Sequence, residues 1–319
     1  MKRSYMLLFL IVFSAFPLVR LLPINEDSGI ESVNDTPALA QDGTKVDLTG
    51  VNVAIYESYI DTRVITSRTA LVNMFTWMNA TVDIINTTEI ENGILWNHEI
   101  FAIPEGLGPF IENQLGEDAE QEIRDWVAAG GSYIGVRGSA AIAVPDSYYE
   151  GHNETFDLNL FNGISYQEEE IDGTEMTEIL INRDSTGPDL SAMPENMSIL
   201  YQTGRYFEAY EGQEMIVIAR YAVDNEPCMI ASHYGDGTVF LSSPHFEYEE
   251  NSDRDGTDHM DEYNDPDSEW PLMLTICLWL LSDSATIQST SIPTEILLGV
   301  GLGVAFLIIG VIVFITKRR

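Results

Sequence analysis

The stretch WVAAGGSYIGVRGS, residues 126–139, decides the fold because its hydrophobic pattern changes from helical to extended in the middle. Its first residues complete an amphipathic helix predicted over residues 119–129. Gly130 and Gly131 then end the helix, and residues 133–136 (YIGV) have the form of a short buried strand. A helix that leads directly into a buried strand is typical of α/β folds with a parallel sheet.

The same alternation continues on both sides of this stretch. Apolar runs of strand length predict strands at 51–56 (VNVAIY), 81–85, 100–103 (IFAI), 178–182, 198–202, 215–221, 228–233 and 238–242. Helical spacing predicts helices over residues 66–78 and 270–281. We therefore expect a flavodoxin-like α/β fold, with a mostly parallel sheet sandwiched by helices.

Both ends of the chain carry membrane signals. Lys2 and Arg3 precede an apolar run over residues 6–19, a form shared by secretory signal peptides and uncleaved signal anchors. Residues 296–315 are twenty uncharged residues, the length that spans a bilayer. The basic tail at 317–319 follows, so the positive-inside rule predicts a cytoplasmic C-terminus and an extracytoplasmic domain on the cell membrane.

These signals predict six parts of the chain. In order they are a signal peptide or signal anchor at 1–22, a linker at 23–47, the α/β domain at 48–283, a Ser/Thr-rich stalk at 284–293, a transmembrane helix at 294–316 and the cytoplasmic tail at 317–319.

The charge of the chain excludes one class of partner. Its 15 basic and 51 acidic residues give a net charge of −36, and only nine basic residues lie between positions 26 and 295. Such a surface repels phosphate backbones, so we expect no nucleic-acid partner. Two cysteines do not make a disulfide framework. Cys228 and Cys277 form either one bridge or two buried thiols, and the apolar helical run around Cys277 favours thiols.

Four segments together resemble the class I glutamine amidotransferase-like fold, and most closely the amidotransferase-like domain at the N-terminus of some biotin–protein ligases; ThuA-type domains are a near neighbour. The segments are the strand at 51–56, the FAIPEGLG segment at 101–108, the WVAAGGSYIGVRGS segment at 126–139 and the YGDGTVFLSSPHFE segment at 234–247. The third resembles the family's nucleophile elbow, and the fourth resembles its hairpin leading to a His-Pro-Glu motif.

The resemblance implies a degenerate catalytic triad. Arg137 stands where the family has its nucleophilic cysteine, His245 where it has the base, and Glu247 where it has the residue that orients the base. A guanidinium stays protonated and cannot attack a carbonyl, so glutamine hydrolysis through a thioester is excluded. Ser139 is the nearest hydroxyl, and a serine hydrolase built on it is the residual chemical alternative.

The resemblance also predicts the lining of a ligand pocket. We expect the lining to comprise Glu105, Gly106, Arg137, Gly138, Ser139 and His245. Arg137 could form an ion pair with Glu247 or provide a cationic floor for a carboxylate ligand. The alternative is a vestigial pocket in which Arg137 only pairs internally.

The acidic stretch after the last motif provides a candidate metal site. Asp253, Asp255, Asp258 and Asp261 are spaced so that they could hold Ca²⁺ outside the cell, although no EF-hand pattern fits. The simpler interpretation is a solvated acidic loop without a cofactor.

The sequence therefore predicts a membrane-anchored, extracytoplasmic pseudoenzyme that binds a small molecule or an envelope protein. Two alternatives remain: a hydrolase-type enzyme that reuses the pocket through His245 and Glu247, and a structural component of the cell envelope.

Overall fold

Buried runs of four to eight residues form the central strands of the computed structural model, which describes residues 47–58, 62–171, 173–249, 252–263, 265 and 267–284. The helices are α1 (Thr62–Trp77), α2 (Thr87–Glu91), α3 (Gly108–Ala128), α4 (Gly138–Ile142) and α5 (Trp270–Asp283), with short 3-10 helices at Ile94–Asn97 and Asp253–Asp255. The strands are β1 (Asn52–Tyr56), β2 (Thr81–Ile85), β3 (Ile100–Ile103), β4 (Ser132–Val136), β5 (Asp146–Tyr149), β6 (His152–Thr155), β7 (Gly163–Gln167), β8 (Thr174–Ile181), β9 (Asn196–Gln202), β10 (Arg205–Ala209), β11 (Ile216–Tyr221), β12 (Pro227–Tyr234) and β13 (Gly237–Ser242).

Nine strands form the main sheet in the order β2-β1-β3-β4-β13-β12-β11-β8-β9. The first five pair in parallel, and the remaining strands pair antiparallel. The expectation of an α/β sheet flanked by helices is confirmed. The expectation that the sheet is mostly parallel holds only for its first five strands. The second half is antiparallel because hairpins such as the turn at 234–237 connect its strands directly, without a crossover helix.

Each face of the main sheet buries its own apolar layer. Along β1, Val53 and Ile55 point into one layer, while Ala54 and Tyr56 point into the other, as the two-residue period of a strand requires. Helices α1 and α5 cover the first layer, and α3 and α4 cover the second. This two-sided burial explains why the inner parallel strands β1 and β3 are largely apolar, whereas the edge strand β2 is partly exposed and contains Asp83.

A second sheet of four strands, in the order β10-β7-β5-β6, is a feature that the sequence did not predict. Strands β5 and β7 are parallel, and the other two pairs are antiparallel. The chain enters this sheet directly after α4, so the sheet lies beside the loop that follows β4.

Most of the predicted parts outside the α/β domain lie outside the described residues, apart from Asp47 and Ser284. These parts are the signal segment at 1–22, the linker at 23–47, the stalk at 284–293, the transmembrane helix at 294–316 and the tail at 317–319. In the part of the chain that the structure does describe, every helix is too short or too polar to cross a membrane. Cys228 and Cys277 are both buried free thiols, which confirms the favoured alternative.

Candidate functional site

A strained turn between β4 and α4 places Arg137. Its backbone has φ 53° and ψ −109°, a conformation that residues with a Cβ adopt only when the surroundings hold it. The N–H of Arg137 donates to the carbonyl of Ser242 at 2.7 Å, which ties the turn to β13. Glycine is required next to it, because a Cβ on Gly138 would lie 1.7 Å from the carbonyl oxygen of Gly106.

The Arg137 side chain is largely buried and is held by three partners. Its Nε donates to the carbonyl of Gln202 at 2.6 Å, one terminal nitrogen to Glu105 Oε1 at 3.3 Å, and the other to Thr203 Oγ1. A guanidinium carries five N–H groups, so two have no hydrogen-bond partner among the described residues. The alternative in which Arg137 pairs with Glu247 is wrong, because Glu105 forms the ion pair with the Arg137 guanidinium instead.

Glu105 bridges the two buried cations of the site. Its Oε2 lies 2.9 Å from Nε2 of His245, in a bent contact that departs from ideal hydrogen-bond geometry. Burial would raise the pKa of Glu105, but His245, Arg137 and Arg63 outweigh it and lower the pKa to about 2. Glu105 is therefore an ionised counter-charge throughout the physiological range.

His245 lies between two carboxylates and has no exposed surface. Its Nδ1 is 3.0 Å from Oε1 of Glu247, and Oε1 also accepts a hydrogen bond from the Ser67 hydroxyl at 2.7 Å. Burial would lower the pKa of His245, but Glu247 and Glu105 outweigh it and raise the pKa to about 9. The imidazole is therefore protonated at neutral pH, which leaves it without the lone pair that a general base needs.

Ser139 has a structural environment. Its hydroxyl oxygen lies 2.7 Å from the carbonyl oxygens of Ile103 and Val136, either of which can accept its single hydrogen, and it accepts the N–H of Val136 at 2.7 Å. The side chain is fully buried, and these contacts occupy the hydroxyl with backbone groups that join β3, β4 and α4.

A cleft of about 420 Å³ opens over the Arg137 turn. Of the six predicted lining residues, Gly106, Arg137 and Gly138 line it, whereas Glu105, Ser139 and His245 lie beneath its floor. Three arginines converge on the cleft, namely Arg63, Arg137 and Arg205.

Sequence reasoning missed Arg63 and Arg205. Arg205 is buried in the cleft wall, with its guanidinium 4.2 Å from the ring centre of Tyr149 and 3.8 Å from a carboxylate oxygen of Glu154. Burial lowers the pKa of Arg205 to about 10, which still leaves it charged at neutral pH. The sequence did contain one indication of these two residues. Basic residues are scarce in this acidic chain, so each arginine is a candidate functional residue.

The acidic stretch does not come together as a metal site in the part of the chain that is described. Asp255 is buried and accepts hydrogen bonds from the N–H groups of Glu249 and Thr257, so its carboxylate closes a loop. Asp253 and Asp258 are exposed. Among the described residues, no group of three or more His, Cys, Asp or Glu side chains is arranged to hold a metal ion.

Comparison with solved structures finds several similar proteins. A ThuA-like protein from Bacteroides uniformis matches with 8% identity over 75% of this chain and 95% of its own, at a TM-score of 0.48. A glutamine amidotransferase matches with 15% identity over 61% of this chain and 90% of its own, at a TM-score of 0.46. A glutamine amidotransferase from Thermotoga maritima matches with 10% identity over 72% of this chain and 90% of its own, at a TM-score of 0.43. Comparison with curated proteins gave no match.

The family assignment rests on the sequence itself. The family model described as "Biotin-protein ligase, N terminal" matches residues 51–271, which runs from β1 to the start of α5 and contains every residue of the Arg137 site. The match covers more than half of the chain, and its limits agree with those of the folded domain. The chain therefore belongs to the biotin–protein ligase N-terminal domain family.

Proposed function

We propose that this protein is a non-catalytic binding protein whose cleft takes a small monocarboxylate. The observation that carries the proposal is the convergence of Arg63, Arg137 and Arg205 on one cleft, in a chain whose net charge is −36. Charge-assisted bonds to arginine are the strong, planar contacts that carboxylates use. The two N–H groups of Arg137 that have no partner among the described residues support this ligand class.

The size and charge of the ligand follow from the surroundings of the cleft. A volume of about 420 Å³ lies within the range of small-molecule sites. The acidic surface disfavours polyanions such as nucleotides, because each added charge increases the long-range repulsion. Leu107 and Phe110 form an apolar rim and are 42% and 56% exposed, which favours an apolar or aromatic body on the carboxylate.

The surroundings of the degenerate triad favour binding over hydrolysis. Arg137 occupies the nucleophile position and cannot attack a carbonyl. The alternative route through His245 needs a neutral imidazole that reaches the substrate. Contacts with Glu105 and Glu247 occupy both ring nitrogens, the pKa of about 9 keeps the ring charged, and the residue lies outside the cleft lining.

The domain would act on the outer side of the cell membrane. The apolar segment at 296–315 and the basic tail at 317–319 support a C-terminal anchor with its end inside. Digestion of intact cells with a protease should remove the domain and leave the tail protected. Protection of the whole domain until the cells are opened would contradict this orientation.

Calorimetric titration of the full-length chain in mild detergent tests the ligand class. Benzoate is the probe, and benzamide is its uncharged counterpart of nearly the same shape. We expect benzoate to bind at least about tenfold more tightly than benzamide, the equivalent of one charge-assisted hydrogen bond. Arg137→Gln should weaken benzoate by about tenfold or more, whereas Arg183→Gln, on an exposed arginine outside the cleft, should leave it unchanged.

A second variant separates lost binding from lost folding. Phe110 is exposed at the rim, so Phe110→Ala should fold normally and still weaken benzoate. Equal binding of benzoate and benzamide, or full binding by folded Arg137→Gln, would overturn the proposal. Turnover of an ester or amide that Glu247→Gln abolishes would favour the enzyme alternative instead.

A further inference from the structure

The small sheet has two faces with opposite character. Along β10, Arg205 points towards the arginine-lined cleft, and its neighbour Tyr206 lies on the outer face because strand side chains alternate. The outer face also carries Tyr148 from β5 and Tyr166 from β7. Tyr166 is paired in register with both Tyr148 and Tyr206, so three tyrosines form one row across three strands.

The tyrosine row, defined as Tyr148, Tyr166 and Tyr206, is ordered by ring contacts. The rings of Tyr166 and Tyr206 stack with centroids 5.3 Å apart and an interplanar angle of 26°. The ring of Tyr148 lies 6.5 Å from that of Tyr166 at 57°. Tyr148 is 37% exposed, so the row is an accessible aromatic surface and is not part of the core.

Carboxylates surround a second cleft, of about 330 Å³, beside the tyrosine row. The cleft is lined by the three tyrosines together with Gln167, Glu168, Glu169, Glu170, Asp224 and Glu226. Five of these nine residues are acidic, and no lysine or arginine is among them. The cleft therefore has a strongly negative potential next to aromatic rings.

Glu168 is the unusual member of this group. Its side chain is only 2% exposed, and its Oε1 accepts the N–H of Glu170 at 2.7 Å. Its Oε2 is buried and receives no hydrogen bond from any described residue. Buried carboxylate oxygens normally have a donor, but Glu168 faces the carboxyl group of Asp224, which can hydrogen-bond to it only when one of the two is protonated. Burial and the facing carboxyl group of Asp224 raise the pKa of Glu168 to about 7, so negative charge on both groups is unfavourable and a cation between them would relieve it.

We propose that this second cleft binds a small organic cation, an alkylammonium compound, with its charged head between Glu168 and Asp224 and its methyl or methylene groups on the tyrosine row. Aromatic rings with adjacent carboxylates are the chemistry that recognises ammonium groups. A metal ion fits less well, because the described residues provide no cluster of three ligands. A neutral sugar would leave the five acidic side chains and the buried Oε2 without a partner of opposite charge.

Titration of the full-length chain with choline tests this site. The comparison ligand is the uncharged isostere in which carbon replaces the ammonium nitrogen. Choline should bind at least about tenfold more tightly than this isostere, since only choline interacts electrostatically with the rings and carboxylates. Glu168→Gln keeps the shape of the side chain and should weaken choline binding by about tenfold or more.

Glu120→Gln is the matched control. Glu120 is also 2% exposed and also has a side-chain oxygen without a hydrogen-bond partner among the described residues, but it lies on α3, outside this cleft. This variant should bind choline as the unaltered chain does. Tyr148→Leu changes an exposed residue of the row, so it should fold normally and bind choline several-fold more weakly.

Three results would overturn the proposal. One is equal binding of choline and the uncharged isostere, and another is unchanged binding in folded Glu168→Gln. The third is binding of a lysine-containing peptide without binding of choline, which would make this face a surface for a basic protein. The benzoate experiment concerns Arg137 on the other side of the small sheet, so either site can fail without affecting the other.

Discussion

Replacing Glu247 by Gln should make folding much less sensitive to alkaline pH. In the native protein the pKa of His245 is raised from 6.5 to about 9, because Glu247 and Glu105 outweigh the effect of burial. A raised pKa contributes stability that is complete below pH 6.5 and is lost as the pH rises through 9. This rise corresponds to about 3 kcal/mol of proton-linked stability.

The substitution removes charge while keeping the local shape. Oε1 of Glu247 accepts from Ser67 and His245, and the amide oxygen of glutamine can accept from both. Only Glu105 then opposes the effect of burial, so the pKa of His245 falls. Breaking a buried ion pair should also lower stability at every pH, by about 3 kcal/mol. The informative quantity is therefore the change in stability between two pH values.

The assay is urea unfolding of the full-length chain in mild detergent, followed by tryptophan fluorescence at pH 6.5 and at about pH 9.5. The unaltered chain should lose about 3 kcal/mol from this network over the interval, and Glu247→Gln should lose at least about 2 kcal/mol less. Other groups that titrate in the same interval are common to both proteins, so they cancel in the difference.

Glu249→Gln provides the control. Glu249 is also buried and ion-paired, but its partner is an arginine, Arg254, instead of a histidine. Glu249→Gln should reduce stability without changing its alkaline dependence. If Glu247→Gln and the unaltered chain lose equal stability between the two pH values, Glu247 does not hold His245 in its protonated form.

Three further predictions concern the surroundings of the site. Ser139→Ala should destabilise the protein by about 2 kcal/mol in urea unfolding, because three buried backbone contacts lose their partner. Gly138→Ala should abolish folding or lower the melting temperature strongly, because its Cβ would meet a backbone oxygen at 1.7 Å. Gly173→Ala is its control, where a Cβ meets open space and only the positive φ costs about 1 kcal/mol. Cys228 and Cys277 are buried thiols, and burial raises the pKa of both, so neither should react with a maleimide before the protein unfolds.

Each of these predictions has an outcome that contradicts it. Native stability in Ser139→Ala would mean that water replaces the hydroxyl. A melting temperature for Gly138→Ala no lower than that of Gly173→Ala would mean that the turn can relax. Rapid labelling of a cysteine in the folded protein would place that thiol nearer the surface.

The central strands could be predicted because burial on both faces leaves a simple apolar pattern. VNVAIY, IFAI and TVFLS are all runs of this kind, and all become strands of the main sheet. The small sheet could not be found in the same way. Its strands include DSYY and HNET, which are short, polar and largely exposed or half-buried, so they resemble loops in sequence.

The position of the site could be predicted, but its pairing could not. Motif order placed Arg137 and His245 near the same pocket, since the carboxyl ends of neighbouring parallel strands meet at one edge of a sheet. Which carboxylate pairs with the Arg137 guanidinium depends on loop geometry, and the hydrophobic periodicity of the sequence does not indicate loop geometry. Glu105 reaches both cations because the loop after β3 passes directly over Gly138. Arg205 belongs to the small sheet, so it was missed together with that sheet.

The bridging position of Glu105 limits the chemistry that a thiol at position 137 could support. Arg137→Cys would restore a thiol at the turn, but it would also leave Glu105 with one counter-charge fewer and place a carboxylate beside the new sulfur. That negative charge would oppose formation of the thiolate and of an oxyanion. A reactive thiol at position 137 would therefore require a coordinated change at position 105, because changing either residue alone leaves a buried charge without this partner.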